Sequence, residues 1–364
     1  MSSAEVRLTP VRFPELPGWG ADDYRAAFAA FLVSAGRLLQ RAAEGAHPAT
    51  PAALLDAARA AVDLRARIAT SSDARDFFEW HFTPHRVLHS DPQGLLTGYY
   101  EPVIAGSRTR TGRFGIPVLR RPADLVNLVA ESERGAKAQA LTHARRTAYG
   151  DEPYATREDI ENGALAGQGL ELVWLEDPVD AFFLHVQGSG MISFEDGSRA
   201  RITYDGKNGH PYTSVGRCLI DAGLFPADQM SLDALKDWLR ADRARGIAAM
   251  RLNQSYVFFR ELTGKDSAAP LGAMEIPLST DRSLAVDTRT HALGTPVYVV
   301  APTLTHAGDG RGFHRLMIAQ DVGSAIRGPE RGDIFFGSGD EAGAKAGITK
   351  HPGNFFVLVP GGVS

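Results

Sequence analysis

The pattern of apolar residues changes character near residue 95, and that change limits the folds open to a chain of 364 residues. Upstream, apolar side chains recur at helical spacing. Asp22 to Ala43 carries Ala27, Phe28, Phe31, Leu32 and Leu38, and Pro51 to Ile68 carries Leu54, Leu55, Ala58, Ala61, Val62 and Leu64. Ser72 or Asp73 is placed to cap a third helix that ends before Pro84. Downstream, the apolar runs are short and cut by glycine and proline, of which there are 38 and 21. Runs of that length, bounded by turn formers, are strands rather than helices.

The strands predicted in this way are Leu95–Ile104, Leu172–Leu175, Ala181–Val186, Met191–Phe194, Ala200–Tyr204, Val297–Ala301, Leu316–Ala319, Ile334–Phe336 and Phe355–Val359. Asp196-Gly197 marks a hairpin turn between two of them. Two helices interrupt the series: Tyr212–Ala222, stopped by Gly223, and one capped by Ser231 that carries Leu232, Leu235, Trp238 and Leu239. The expected fold is mainly β with N-terminal helices. A polar, turn-like stretch at Thr263–Ser267 is the one soft boundary.

Composition excludes some function classes. The net charge of −4 lacks the basic excess of a nucleic-acid binder. No run of about 18 apolar residues is present, so no membrane-spanning helix is expected. Phe28–Leu39 is broken by Ser34 and Arg37 and reads as a globular helix rather than an export leader. No lipid-attachment cysteine stands near residue 1. The single cysteine, Cys218, rules out an intramolecular disulfide and is expected to be a buried, inert thiol. His81, His85 and His89 are spaced by four, but Phe82 stands where a zinc protease needs glutamate and Pro84 breaks the helix. No metal and no cofactor is expected.

The chemistry concentrates in Asp321–Gly337, where Asp321 follows one strand, Asp333 begins the next, and glycines surround both. An acid at a strand end with glycine nearby faces a cleft readily. Asp287 adds a third acid upstream. From composition and context alone, each of these fits equally well as a turn or loop anchor. Ser189, in Gln187-Gly188-Ser189-Gly190, does not fit a nucleophile elbow, because Gln187 stands two residues before it.

With these motifs in their order, the chain resembles the membrane-bound lytic murein transglycosylase A family. The residues that carry the resemblance are Thr97-Gly98-Tyr99-Tyr100, His185–Gly190, Gly206–His210, Asn253–Phe259, Ala285-Val286-Asp287, Asp321-Val322-Gly323, and Asp333 with Gly339–Gly343. It runs from about Leu95 to Leu358, and residues before about 90 match only as helices. The resemblance implies a double-psi β-barrel assembled from 1–102 and 263–364, a second, inserted β-barrel-like domain over 103–262, and a glycan groove between them.

The resemblance also implies cleavage of the β-1,4 bond between N-acetylmuramic acid and N-acetylglucosamine in peptidoglycan, leaving 1,6-anhydro ends. Asp333 falls on the catalytic position, with Asp321 and Thr97 supporting it. Tyr99, Tyr100, Gln187, Gly188, Ser189, Lys207, Asn208, His210 and Asp287 are candidates for gripping sugar. An isolated aspartate titrates at about 3.9, so an acid role requires burial that raises Asp333. The expected partner is the glycan strand, met by a monomer. The substrate implies the periplasm, with outer-membrane association as an option. A glycan hydrolase on a related barrel and a non-catalytic peptidoglycan-binding protein remain the alternatives.

Overall fold

The computed structural model describes residues 6–45, 50–89, 94–128, 141–308, 310–323 and 325–361. Ser324, inside the acidic motif, lies outside the described residues. In chain order, β1 (Arg7–Pro10) precedes α1 (Tyr24–Ala43), α2 (Ala52–Leu64) and α3 (Ser71–His81), and β2 (Phe82–Leu88) and β3 (Gly94–Glu101) follow. Next come β4 (Val103–Ser107), β5 (Ile116–Leu119), β6 (Leu125–Asn127), β7 (His143–Thr147), β8 (Gly150–Glu152), α4 (Arg157–Glu161), β9 (Glu171–Leu175) and α5 (Pro178–Gln187). After β10 (Ser189–Phe194) and β11 (Arg199–Lys207) lie α6 (Val215–Asp221), α7 (Leu232–Ala241), α8 (Arg243–Met250) and β12 (Val257–Leu262). The chain ends with β13 (Ser283–Ala285), β14 (Pro296–Ala301), β15 (Phe313–Asp321), β16 (Arg331–Ser338), α9 (Asp340–Ile348) and β17 (Lys350–Pro360).

Two compact units result. One comprises Met1–Tyr99, Leu271–Gly337 and Thr349–Ser364, and the other Tyr100–Pro270 and Ser338–Ile348. In the first unit the strand order β17-β14-β15-β13-β16-β3 returns to β17 through a β3–β17 pairing, so the sheet closes on itself. Closure leaves these strands without a free edge. β2 and then β1 continue the sheet beyond β17.

The helices of this unit form where expected because their apolar stripes have a core to face. Ala27, Phe28, Phe31, Ala35 and Leu38 of α1 are buried with Phe77, Phe78 and Phe82. The Phe28 and Phe77 rings meet edge-on at 5.0 Å. Tyr298, Leu316 and Ile318 of the sheet join the same cluster. Gln320 reaches across from β15, and its Nε2 donates to Ala30 O at 2.9 Å and Ser34 Oγ at 2.8 Å. The cap of α3 is Thr70 rather than Ser72 or Asp73. Thr70 Oγ1 accepts from Asp73 N, and the Asp73 carboxylate accepts from Thr70 N, a reciprocal capping box.

In the second unit a six-stranded sheet runs β12-β11-β10-β4-β9-β5, with a three-stranded sheet β6-β7-β8. The Asp196-Gly197 hairpin joins β10 and β11 as expected, with Gly197 at φ 82°. Three expectations need correction. Ala181–Val186 is helix, not strand: Asp177 caps α5, Pro178 opens it, and Gly188 closes it in the left-handed conformation. Its residues are buried on nearly every side, so the apolar run shows no period. The Leu95–Ile104 strand is two strands, β3 and β4, divided at Pro102, which has no amide to donate. The helix expected at Tyr212–Ala222 starts only at Val215, after the Ser214 cap, and Cys218 on it is half-buried rather than buried.

Candidate active site

Three neighbouring strands of the closed sheet bring the acidic motifs together. Ala285 of β13 is the register partner of Asp321 on β15 and of Asp333 on β16. The two aspartates therefore flank one residue, with Cα atoms about 10 Å apart, two strand spacings. Next to β16 lies β3, where Thr97 and Tyr99, two residues apart, share a face. Gly332 beside Asp333 is tightly packed: a Cβ there would lie 2.7 Å from the Phe355 ring and 3.0 Å from Leu284, so a neighbour would have to shift.

Thr97 Oγ1 donates to Asp333 Oδ1 at 2.5 Å. Arg331 Nη2 donates to the same Thr97 oxygen at 2.9 Å. Burial pushes the Asp333 carboxyl above the ordinary 3.8, against the Thr97 hydrogen bond and the Arg331 charge, which pull it down. It keeps partial solvent access. Asp321 is enclosed differently. Its Oδ2 accepts from the Tyr99 hydroxyl at 2.8 Å, and its Oδ1 accepts from the amides of Ala273 and Val322, both at 2.9 Å. Burial raises its carboxyl to about 6, those three hydrogen bonds oppose the rise, and the Asp333 charge adds to it. Burial and the Asp321 charge hold the Tyr99 phenol well above its ordinary value, so Tyr99 remains a donor. The Tyr99 ring rests on Phe335, with centroids 5.3 Å apart.

Asp287 is buried, with its carboxylate on Arg289 (Nε at 2.9 Å) and on the amide of Gly328 at 2.8 Å. Burial raises its carboxyl, but Arg289 and Gly328 outweigh burial and leave it below the ordinary value. It fastens the loop between β15 and β16, and Val286 N donates to Asp321 O at 3.0 Å.

The other sugar-binding candidates belong to the second unit. Tyr100 is buried, its amide donating to Gln187 Oε1 at 3.3 Å and its hydroxyl accepting from Lys236 Nζ at 3.2 Å. Gly188 caps α5 and Ser189 opens β10. Lys207 ends β11, paired with Val257. Asn208 is fully buried and staples loops: Nδ2 donates to the carbonyls of Ala155 and Gln254, and Oδ1 accepts from Tyr256 N. His210 Nε2 bonds Tyr154 O at 2.8 Å. The three histidines with regular spacing meet different partners: His81 the Phe77 ring, His85 the Thr83 carbonyl, and His89 the Glu330 carboxylate at 2.7 Å. Sequence reasoning missed Arg331 and the Ala273 amide. Arg331 was visible in the motif, but only the adjacency of β3 and β16 in the sheet brings it to Thr97.

Comparison with known proteins fits this geometry. A family model described as the MltA specific insert domain matches residues 95–260, and one described as the 3D domain matches residues 282–359. The chain is 36% identical over 293 residues to the membrane-bound lytic murein transglycosylase A of Escherichia coli K12, covering 79% of this chain and 72% of that protein. The Vibrio cholerae protein of the same name is 36% identical over 275 residues, covering 74% of this chain, which spans 66% of that protein's length. Among solved structures, a membrane-bound lytic murein transglycosylase from Agrobacterium tumefaciens superposes with a TM-score of 0.86 at 37% identity, covering 97% of each chain. Escherichia coli MltA with bound chitohexaose gives a TM-score of 0.70 at 28% identity, covering 100% of this chain and 96% of that one.

Proposed function

The chain belongs to the membrane-bound lytic murein transglycosylase A family, and we propose that it cleaves peptidoglycan glycan strands with Asp333 as acid and then base. The bond broken joins C1 of N-acetylmuramic acid to O4 of N-acetylglucosamine. Protonated Asp333 gives its proton to O4 as the C1–O4 bond breaks. The 6-hydroxyl of the same muramic acid attacks C1, and its proton passes to the Asp333 carboxylate. A 1,6-anhydro ring forms, a free 4-hydroxyl leaves, and Asp333 is protonated again. Intramolecular attack supplies the nucleophile at high effective concentration, so no second carboxylate is needed.

The observation that carries this reading is the inequality of the two aspartates. A hydrolase of the usual kind uses one carboxyl as acid and another as nucleophile or water base. Asp321 is poorly suited to the second part: both its oxygens hold hydrogen bonds, from Tyr99 and from two backbone amides. Asp333 holds one, from Thr97, and its other oxygen has no protein partner among the described residues. We assign Asp321, Thr97 and Tyr99 to shaping the site.

The closed ring of β17, β14, β15, β13, β16 and β3 supports a double-psi barrel as the catalytic domain. We read 103–262 as the inserted β domain, with Gln187, Gly188, Ser189 and Lys207 as its offered sugar contacts and Tyr100 just ahead of it. The chitohexaose in the Escherichia coli structure, a β-1,4-linked amino-sugar oligomer, supports a glycan of that linkage as the ligand. One chain holds every group the reaction uses, so the monomer is the proposed working unit. The substrate places the work in the periplasm. Among the described residues no helix is long and apolar enough to cross a membrane.

Asp333→Asn tests the assignment, because the amide keeps the shape and cannot donate the proton. Turnover of isolated sacculi should fall roughly 100- to 10,000-fold, the range for a general acid. Sedimentation of the variant with sacculi should match wild type. Wild-type turnover by this variant would remove Asp333 from the mechanism.

A further inference from the structure

Resting on the assignment of Asp333 as the acid, we propose that Arg331 is a positioning residue: it fills a lone pair of Thr97 Oγ1, so the Thr97 proton points to Asp333 Oδ1, and Oδ2 carries the catalytic proton. A guanidinium only donates, so the 2.9 Å contact from Arg331 Nη2 must use an oxygen lone pair of Thr97. A hydroxyl has one proton. At 2.5 Å from Asp333 Oδ1, that proton completes the hydrogen bond to the carboxyl oxygen. Oδ1 is thereby an acceptor in both protonation states of Asp333, and the proton that leaves and returns belongs to Oδ2.

The rest of Arg331 is arranged for this task. Nη1 donates to Gly332 O at 2.6 Å and to Leu95 O at 3.4 Å, which fixes the guanidinium across β16 and β3. Among the described residues it forms no direct ion pair with a carboxylate; its charge acts on Asp333 through space, and its Nη2 hydrogen bond goes to Thr97 Oγ1. Thr97 and Arg331 should then be coupled in orienting Asp333, because Thr97→Val removes the hydroxyl and Arg331→Met leaves that hydroxyl free to turn away.

A mutant cycle with pH profiles tests this on soluble glycan oligomers, with Arg331→Met, Thr97→Val and the double variant. Arg331→Met should lower kcat roughly 10- to 100-fold, the range for losing a hydrogen bond to a charged group, with KM little changed. Its alkaline limb should move to higher pH, since a cation that favours the carboxylate is gone. The double variant should be little worse than Thr97→Val alone. Arg331→Lys, which keeps the charge, should return the alkaline limb toward wild type while kcat stays low, and it serves if the Met variant does not fold. Independent, multiplying effects, an unmoved limb in both Arg331 variants, or a change in KM alone would overturn the proposal. Loss of activity in Asp333→Asn, measured alongside, keeps failure here distinct from failure of the acid assignment.

Discussion

At the scale of single residues, neighbouring carboxyl groups in this site are told apart by their partners. Asp321 is raised to about 6, so the folded state binds its proton more tightly than the unfolded chain does. Stability from that proton is fully present below about pH 3.8 and is lost as pH rises through about 6. The gap in unfolding free energy between wild type and Asp321→Asn should therefore shift against wild type across that window and level off above it. Urea titrations at stepped pH measure it; a pH-independent gap would contradict the burial of Asp321. For the proposed catalysis the sign is similar: Asp333 is raised, and if its protonated form is the acid the rate should fall on the alkaline side as it ionises. The three acids were legible in the sequence as a motif. Their ranking was not, since it depends on which backbone amides and hydroxyls reach each oxygen.

At the scale of elements, α1 is fixed to the strands that carry the site. Asp22, just before α1, is buried and accepts from both Nη atoms of Arg282 at 2.8 Å and from Leu316 N at 2.7 Å. Arg282 leads into β13 and Leu316 lies on β15, the strands of Ala285 and Asp321. Asp22→Ala leaves Arg282 buried without its partner and should cost about 3–5 kcal/mol of stability in urea unfolding. A loss under about 1 kcal/mol, the size of an exposed pair, would show that the contact holds nothing in place. Phe31, fully buried among Phe77, Phe78 and Phe82, should cost about 3–5 kcal/mol on replacement by alanine. The helices of this layer were readable because one face is wet and the other buried. α5 was not, because its faces are nearly all buried and its helix signals lie only in Asp177-Pro178 and Gly188. The Asp22–Arg282 pair, 260 residues apart, has no local signature at all.

At the scale of the whole molecule, a closed sheet drawn from both ends of the chain explains why the site residues are scattered in sequence. Thr97 and Asp333 meet because β3 and β16 are adjacent in the ring. Short apolar runs identified the strands, but alternation alone says nothing about which strands pair, so the ring was legible only through the resemblance carried by the spaced motifs. The same holds for chemistry: residues suggested a cleft acid, and the partners of Asp321 argue against a two-carboxylate mechanism. Mass spectrometry of glycan fragments released from sacculi by the wild-type chain tests this account most directly. It predicts muramic acid ends lighter by one water than a reducing sugar, the mark of the 1,6-anhydro ring. Reducing muramic acid ends alone would contradict it and would mean that water, not the 6-hydroxyl, attacks C1.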